Sequence, residues 1–383
     1  MLSMNKNVSV MLIFFFISGL FTVVFNSASA SGLVADSWNT KTSMSEPRWD
    51  MGVVRVDSKI YVIGGRSATP GFYSDNVGTN EVYDPKTDKW TTLAPMPTPR
   101  ESFTIFEYQN KIYCIGGVVR VPDYGGFQMV GVDVAEVYDI ASDKWSTVST
   151  LFNVGGDTYV VDEQIFVLSF NQLYKYDVVA DSWFVQTLPN GLFPFVCGVV
   201  VLGEKMFFIC EQSNIGREQG DKLVALAVYV YDSKTGKWSE GTTGFAGSYG
   251  SVVGVTSGSY APQKIYVFGR DWDMLPGEVT SESFWAVTHV YDPVADVWST
   301  ARASSVLFDL CCVVNVDDIL YVIGGSVNER YIPLGYHGTV APDLSKFSFL
   351  TYPFIVTIVL TVCIVTGVVV FYFKKRNKKG DHE

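Results

Sequence analysis

Glu81-Val82-Tyr83-Asp84-Pro85-Lys86-Thr87-Asp88-Lys89-Trp90 decides the fold, because the phrase recurs along the chain. Near copies stand at 136–145 (EVYDIASDKW), 230–238 (VYDSKTGKW) and 290–298 (VYDPVADVW), and a more distant one at 175–183 (KYDVVADSW). In each, a Tyr is followed seven residues later by a Trp: Tyr83/Trp90, Tyr138/Trp145, Tyr176/Trp183, Tyr231/Trp238 and Tyr291/Trp298. The phrase reads as a strand, a tight turn and a second strand, since Asp, Pro and Gly close turns while aromatic and β-branched residues flank them.

A second hairpin precedes each copy. Its closing strand ends in paired glycines at 57–65 (DSKIYVIGG), 110–117 (NKIYCIGG) and 317–325 (DDILYVIGG), giving Gly64-Gly65, Gly116-Gly117 and Gly324-Gly325. Weaker versions occupy 162–170, 203–210 and 263–270. Two hairpins per period make four strands, and a period of about 40–60 residues built from four strands is the signature of a propeller blade. Glycine suits the strand end because, lacking Cβ, it tolerates positive φ and close backbone approach. The Tyr and Trp residues supply large buried area between blades. All of these are structural roles.

The pattern resembles the kelch repeat in its paired glycines, its spaced Tyr and Trp, and the Pro-Arg between units (Pro47-Arg48 and Pro99-Arg100). The resemblance covers nearly all of 33–338 and implies an all-β, six-bladed kelch-type β-propeller. Five Tyr–Trp pairs are complete, while Trp38 near the start and Tyr331 near the end are each unpaired. The two fragments are expected to complete one closing blade, with the N-terminal segment as its outer strand. Such closure removes a free sheet edge from the ring.

Outside the repeat, both ends are apolar. Residues 1–30 read as an export signal: Lys6, an uncharged run over 8–25, and Ala28-x-Ala30 as cleavage site. The run is long enough that an uncleaved anchor is the other reading. Residues 347–373 carry no charge and are expected to form a transmembrane helix, followed at 374–383 by a tail containing Lys374, Lys375, Arg376, Lys378 and Lys379. Positive charge marks the cytoplasmic side, so the propeller at 31–346 is expected outside a plasma membrane crossed once.

Composition excludes some partners. With 28 Lys and Arg against 39 Asp and Glu, the net charge of −11 argues against nucleic acid, whose phosphates need clustered cations. The cysteines form no metal pattern, and no nucleophile elbow, phosphate loop or zinc spacing occurs, so no metal, cofactor or catalytic residue is assigned. A turn at Gly203-Glu204 would set Cys197 directly opposite Cys210, a close cross-strand position that an exported protein could oxidise to a disulfide.

Function is expected on one rim. Connections between first and second strands are tight, at Asp57-Ser58, Gln109-Asn110, Asp162-Glu163 and Asp317-Asp318, whereas some of those on the other face are long, at 66–79, 118–133, 211–224 and 270–286. Long loops on a rigid scaffold carry binding, and Arg and aromatic residues are enriched at recognition hot spots. These loops present Arg66, Tyr73, Arg120, Tyr124, Arg217, Arg270, Trp272 and Asp273 as the ligand-binding face. The expected activity is recognition of a protein or glycan outside the membrane. A metal-independent sugar epimerase of the mutarotase kind is the alternative that the kelch resemblance leaves open. A copper oxidase of the galactose oxidase kind would need two His ligands, and the chain has only His289, His337 and His382, the last on the tail.

Overall fold

A computed structural model describes residues 33–338, apart from 68–74, 125, 149–156, 162–163, 170–171, 178–181, 190–194, 214–223, 247–248, 273–283, 307 and 309–310. The expected export signal and transmembrane helix lie outside the described residues. Within them the regular structure is strand, arranged as six antiparallel blades. Blade 1 runs Gly52–Val56, Lys59–Ile63, Asn80–Asp84, Lys89–Leu93. Blade 2 runs Thr104–Tyr108, Lys111–Ile115, Ala135–Asp139, Lys144–Val148. Blade 3 runs Asp157–Val161, Gln164–Ser169, Gln172–Asp177, Ser182–Gln186. Blade 4 runs Phe195–Leu202, Lys205–Ser213, Val224–Asp232, Lys237–Glu240, with Gly244–Ala246 added to its third strand. Blade 5 runs Tyr249–Val255, Ile265–Trp272, Phe284–Asp292, Val297–Ala301.

Blade 6 closes the ring as the unpaired Trp38 and Tyr331 foretold. Its inner strands are Cys312–Val316, Ile319–Gly324 and Val327–Ile332, and its outer strand is Ser37–Thr40, with Trp38 opposite Tyr331. The first strands of successive blades touch all the way round, from blade 1 to blade 6 and back. Apolar side chains from facing blades fill the seams; Ile60, Tyr83, Val314 and Tyr321, for example, join blades 1 and 6.

The Tyr–Trp phrase does more than bury area. Trp38, Trp90, Trp145 and Trp298 each donate through Nε1 to the carbonyl of the residue leaving the preceding blade: Arg302, Thr42, Ala94 and Thr242. The N–H of that same residue donates to the turn aspartate two positions before the Trp, namely Asp36, Asp88, Asp143 and Asp296. Each aspartate also accepts the hydroxyl of its blade's buried Tyr at 2.6–2.8 Å. These aspartates sit at φ of 53–56°, where Asp is among the few side chains tolerated. Gly236 takes the corresponding place beside Trp238, so blade 4 lacks the carboxylate clamp. Trp183 pairs with Tyr176 in the register the repeat requires.

The Pro-Arg pairs prove to be internal struts. Arg100 is fully buried and donates to the carbonyls of Gly116 (2.8 Å), Thr98 (2.9 Å) and Cys114 (2.9 Å) as well as to Glu136. Arg48, equally buried, reaches Glu81 at 2.7 Å and the carbonyls of Glu46 and Val62. The paired glycines follow from this crowding. Gly65 and Gly117 lie at φ of 95° and 96°, and a Cβ there would stand 2.6–2.7 Å from the carbonyls of Trp49 and Glu101.

Two expectations change. The connections 211–224 and 270–286 are shorter than the sequence suggested, because the central strands of blades 4 and 5 run on to Ser213, Val224, Trp272 and Phe284. The hairpin register in blade 4 also shifts. A bulge at Cys197 places Val196, not Cys197, opposite Cys210, and both thiols are free. The bulge points Cys197 Sγ toward Glu211 Oε1 at 3.4 Å.

Candidate recognition face

One rim gathers the connections from second to third strands together with those that lead into each new blade. Two short pairings tie these segments to each other. Arg48–Trp49 pairs with Arg66–Ser67, and Glu101 bridges to Val118. The described segments of the rim above blades 1 and 2 that these pairings join are therefore hydrogen-bonded framework. The long connection of blade 2 is itself a ribbon, Val118–Asp123 against Gly126–Gly131, with Arg120 opposite Met129 and Pro122 opposite Phe127.

At the base of this ribbon stands a network of alternating charge. Arg66 Nε donates to Asp50 Oδ2 at 2.8 Å and lies 3.3 Å from Glu101 Oε2. Arg120 Nε donates to Glu101 Oε1 at 2.6 Å, and the Arg120 backbone N–H donates to Asn76 Oδ1 at 2.6 Å. Glu101 is fully buried. Burial pushes its carboxyl above the usual carboxylate range, against the pull of Arg120 and Arg66. Each arginine rests on an aromatic ring: Arg66 is 5.1 Å from the centre of Trp49 and Arg120 is 4.1 Å from that of Phe127.

Of the residues the sequence nominated, Arg66 and Arg120 are brought together, joined through the single carboxyl of Glu101. Tyr124 is fully exposed at the ribbon's turn, separate from that network. Arg270 is not on a loop; it lies within a strand of blade 5, between Tyr249 and Ala286. Trp272 ends the same strand opposite Phe284. Tyr73, Arg217 and Asp273 lie outside the described residues. Sequence reasoning missed Asp50, Trp49, Asn76 and Glu101. Trp49 and Asp50 directly follow Pro47-Arg48, and Glu101 directly follows Pro99-Arg100, so the repeat's own Pro-Arg was the available signal. His289 occupies the third-strand position of Glu81 and Glu136; burial holds its imidazole below the usual range and therefore neutral at pH 7. Among the described residues no His, Cys, Asp and Glu cluster could hold a metal.

A six-bladed ring with buried Pro-Arg struts, strand-ending glycine pairs and Tyr–Trp hairpins is the architecture of a kelch-type propeller, and the chain carries kelch repeats. The Kelch motif model matches residues 47–97 and 99–151, which are blades 1 and 2 with their leading segments. Kelch-like protein 25 of Xenopus tropicalis is 23% identical over 272 residues, covering 68% of this chain and 42% of that protein. Kelch-like protein terF of Aspergillus terreus is 24% identical over 277 residues, covering 68% of this chain and 57% of that one. The chain thus spans about half the length of these relatives. The solved structure titled "Structure of YjhT" superposes with a TM-score of 0.52 at 14% identity, over 76% of this chain and 94% of that one, a likeness of fold. Kelch propellers commonly serve as protein-binding modules.

Proposed function

We propose that this kelch propeller is a recognition module held at the cell surface, binding a partner protein through the rim above blades 1 and 2. The observation that carries the reading is the Asp50–Arg66–Glu101–Arg120 network beside the exposed ribbon. It fixes two arginines and an apolar projection in one place, without belonging to the repeat that builds the fold. Rigid presentation of arginine and aromatic side chains is what hot spots require, since little entropy is then lost on binding. Placement outside the membrane rests on the apolar segments 8–25 and 347–373 and the basic tail. A glycan remains the other ligand that such a rim could take.

The test has two parts. Protease added to intact cells should remove the propeller while a tag placed after Glu383 stays protected; digestion of the tag in place of the propeller refutes the topology. Cell-surface cross-linking should capture a protein on the wild-type chain and lose it in the Arg66→Ala/Arg120→Ala variant. Capture that survives these changes, in a variant that melts like wild type, refutes the choice of rim.

A further inference from the structure

The face opposite the recognition rim is built mainly of two-residue turns. Asp57-Ser58, Gln109-Asn110, Gly203-Glu204 and Asp317-Asp318 each join a first strand to a second. Blade 5 departs from this, with nine residues, 256–264, between Val255 and Ile265. The longer loop is firmly held. Asp318, buried on blade 6, accepts the backbone N–H groups of Ser257, Tyr260 (2.6 Å) and Ala261 (3.1 Å). Thr256 Oγ1 donates to the Pro262 carbonyl at 2.6 Å and accepts the Lys264 N–H at 2.9 Å. Ala261 is buried by this arrangement, while Tyr260 at the loop's tip stays 42% exposed.

Both ends of the propeller come to this place. Ser37 starts the outer strand of blade 6 opposite Ile332, where the third strand ends. Past Ile332 the chain runs onto the blade 5 loop: the His337 N–H donates to the Tyr260 carbonyl at 2.8 Å, and the rings of Tyr336 and Tyr260 are 6.5 Å apart. Leu33 and Tyr336 pack on the same cluster between blades 1 and 6. Next to them in the chain, Val34 and Leu334 are 72% and 64% exposed. Val294, 87% exposed, stands on the turn that Asp292 ties to the loop through Lys264. Nearby carboxylates are engaged within the protein: Asp36 accepts the Tyr331 hydroxyl and the Arg302 N–H, Asp292 pairs with Lys264, and Asp318 is buried. Asp317 is exposed, which the wet headgroup layer of a membrane accommodates. Only the eight residues 339–346 separate Gly338 from the apolar run 347–373, a span of about 30 Å at full extension. Exposed apolar and tyrosine side chains gathered where a chain leaves for a membrane span match the boundary between headgroups and acyl chains. We infer that this face, at blades 5 and 6, lies on the lipid bilayer that anchors the protein, with Tyr260, Leu334, Val34 and Val294 at headgroup level. The rim above blades 1 and 2 is thereby turned away from the membrane, toward partners. This inference rests on the cell-surface reading above, since it takes 347–373 as crossing that bilayer.

The full-length chain would be reconstituted into phosphatidylcholine vesicles, with a fluorescent coumarin amino acid in place of Leu334, of Tyr260 or, on the opposite rim, of Tyr124. Replacing part of the lipid by one brominated high on its acyl chains should quench the probe at 334 and at 260 by roughly twofold or more, and leave the probe at 124 unchanged. A second measurement uses Lys346, the one trypsin site between Gly338 and Phe347. Cleavage there, followed by mass spectrometry on vesicles, should be slow in the wild-type chain. It should quicken by about threefold or more in Tyr260→Ser/Leu334→Ser, two exposed changes that should leave Tm unaltered. Chains that float with the vesicles and resist alkaline extraction, yet show no quenching at 334 or 260, would overturn the inference and leave the anchored reading standing. Quenching at 124 in their place would overturn it by reversing the face. Chains that neither float nor resist extraction would overturn both.

Discussion

The buried struts that tie each leading segment to its own blade offer the sharpest quantitative test, through Glu136→Gln. Arg100 and Glu136 have side-chain exposures of 0% and 2%, so solvent cannot compensate for either charge. Gln keeps the shape and can still accept from Thr98 Oγ1, now 2.9 Å from Glu136 Oε1. It leaves the guanidinium charged among the carbonyls of Gly116, Thr98 and Cys114 with no counterion. Breaking a buried pair from one side costs about 3–5 kcal/mol, because the remaining charge cannot return to water. For a unit of about 300 residues the unfolding entropy near 60 °C is about 0.6 kcal/mol/K, so Tm should fall by about 5–8 °C. Scanning calorimetry of the full chain in mild detergent reads this directly. Glu81→Gln should cost less, because Glu46 Oε2 lies 3.9 Å from Arg48 and can take over part of the charge. Replacing both partners, as Arg100→Met/Glu136→Leu, should recover much of the loss. A Glu136→Gln chain melting within about 1 °C of wild type would refute the view that these pairs hold each blade to the segment that enters it.

Gly236→Asp should raise Tm by about 1–2 °C, since Gly236 sits at φ 66° with its would-be Cβ 3.8 Å from the Tyr231 hydroxyl, and the new carboxylate would gain about 0.5–1 kcal/mol of hydrogen bonding; an unchanged or lower Tm would show that the clamp is not transferable. Trp38→Ala should destabilise the whole ring by about 3–5 kcal/mol, because the indole packs on Phe268, Phe308 and Tyr331 and bonds Arg302, and hydrogen exchange should then rise in blade 6 first. Stability should be lost in acid. The carboxyl of Asp143 is held low by the Tyr138 hydroxyl and the Ala94 N–H, that of Asp296 by the Thr242 N–H and Tyr291, and that of Asp88 by Lys41, Tyr83 and Thr42 against an opposing push from burial. A depressed carboxylate stabilises above its unfolded pKa of about 4 and ceases to do so as pH falls through the lower folded value, so Tm should hold to about pH 4 and drop below it. Cys114 and Cys210 should resist alkylation in the folded chain, burial having pushed the Cys210 thiol up to about 12, and intact mass should show Cys197 and Cys210 both modified once the chain unfolds.

The recurring Tyr–Trp phrase and the glycine pairs determined the blade count and the shared closing blade without any coordinates. Both are local features: a hairpin turn needs particular residues at fixed offsets, and a ring of hairpins repeats that need. Trp38 and Tyr331 were legible as one blade because each lacked the partner the repeat demands. Arg66 and Arg120 were legible as rim residues, since the rim follows from strand count alone. What joins them was not. Glu101 reaches Arg120 only because the segment entering blade 2 bridges to the start of the ribbon, and Arg66 reaches Asp50 only because the segment entering blade 1 pairs with Arg66 itself. The same holds for the bulge at Cys197 and for Arg270, carried into a strand by the extra length of blade 5. Local sequence sets turns and strand faces, whereas strand length, bulges and charge partners depend on which backbone lies alongside, and only the closed ring decides that.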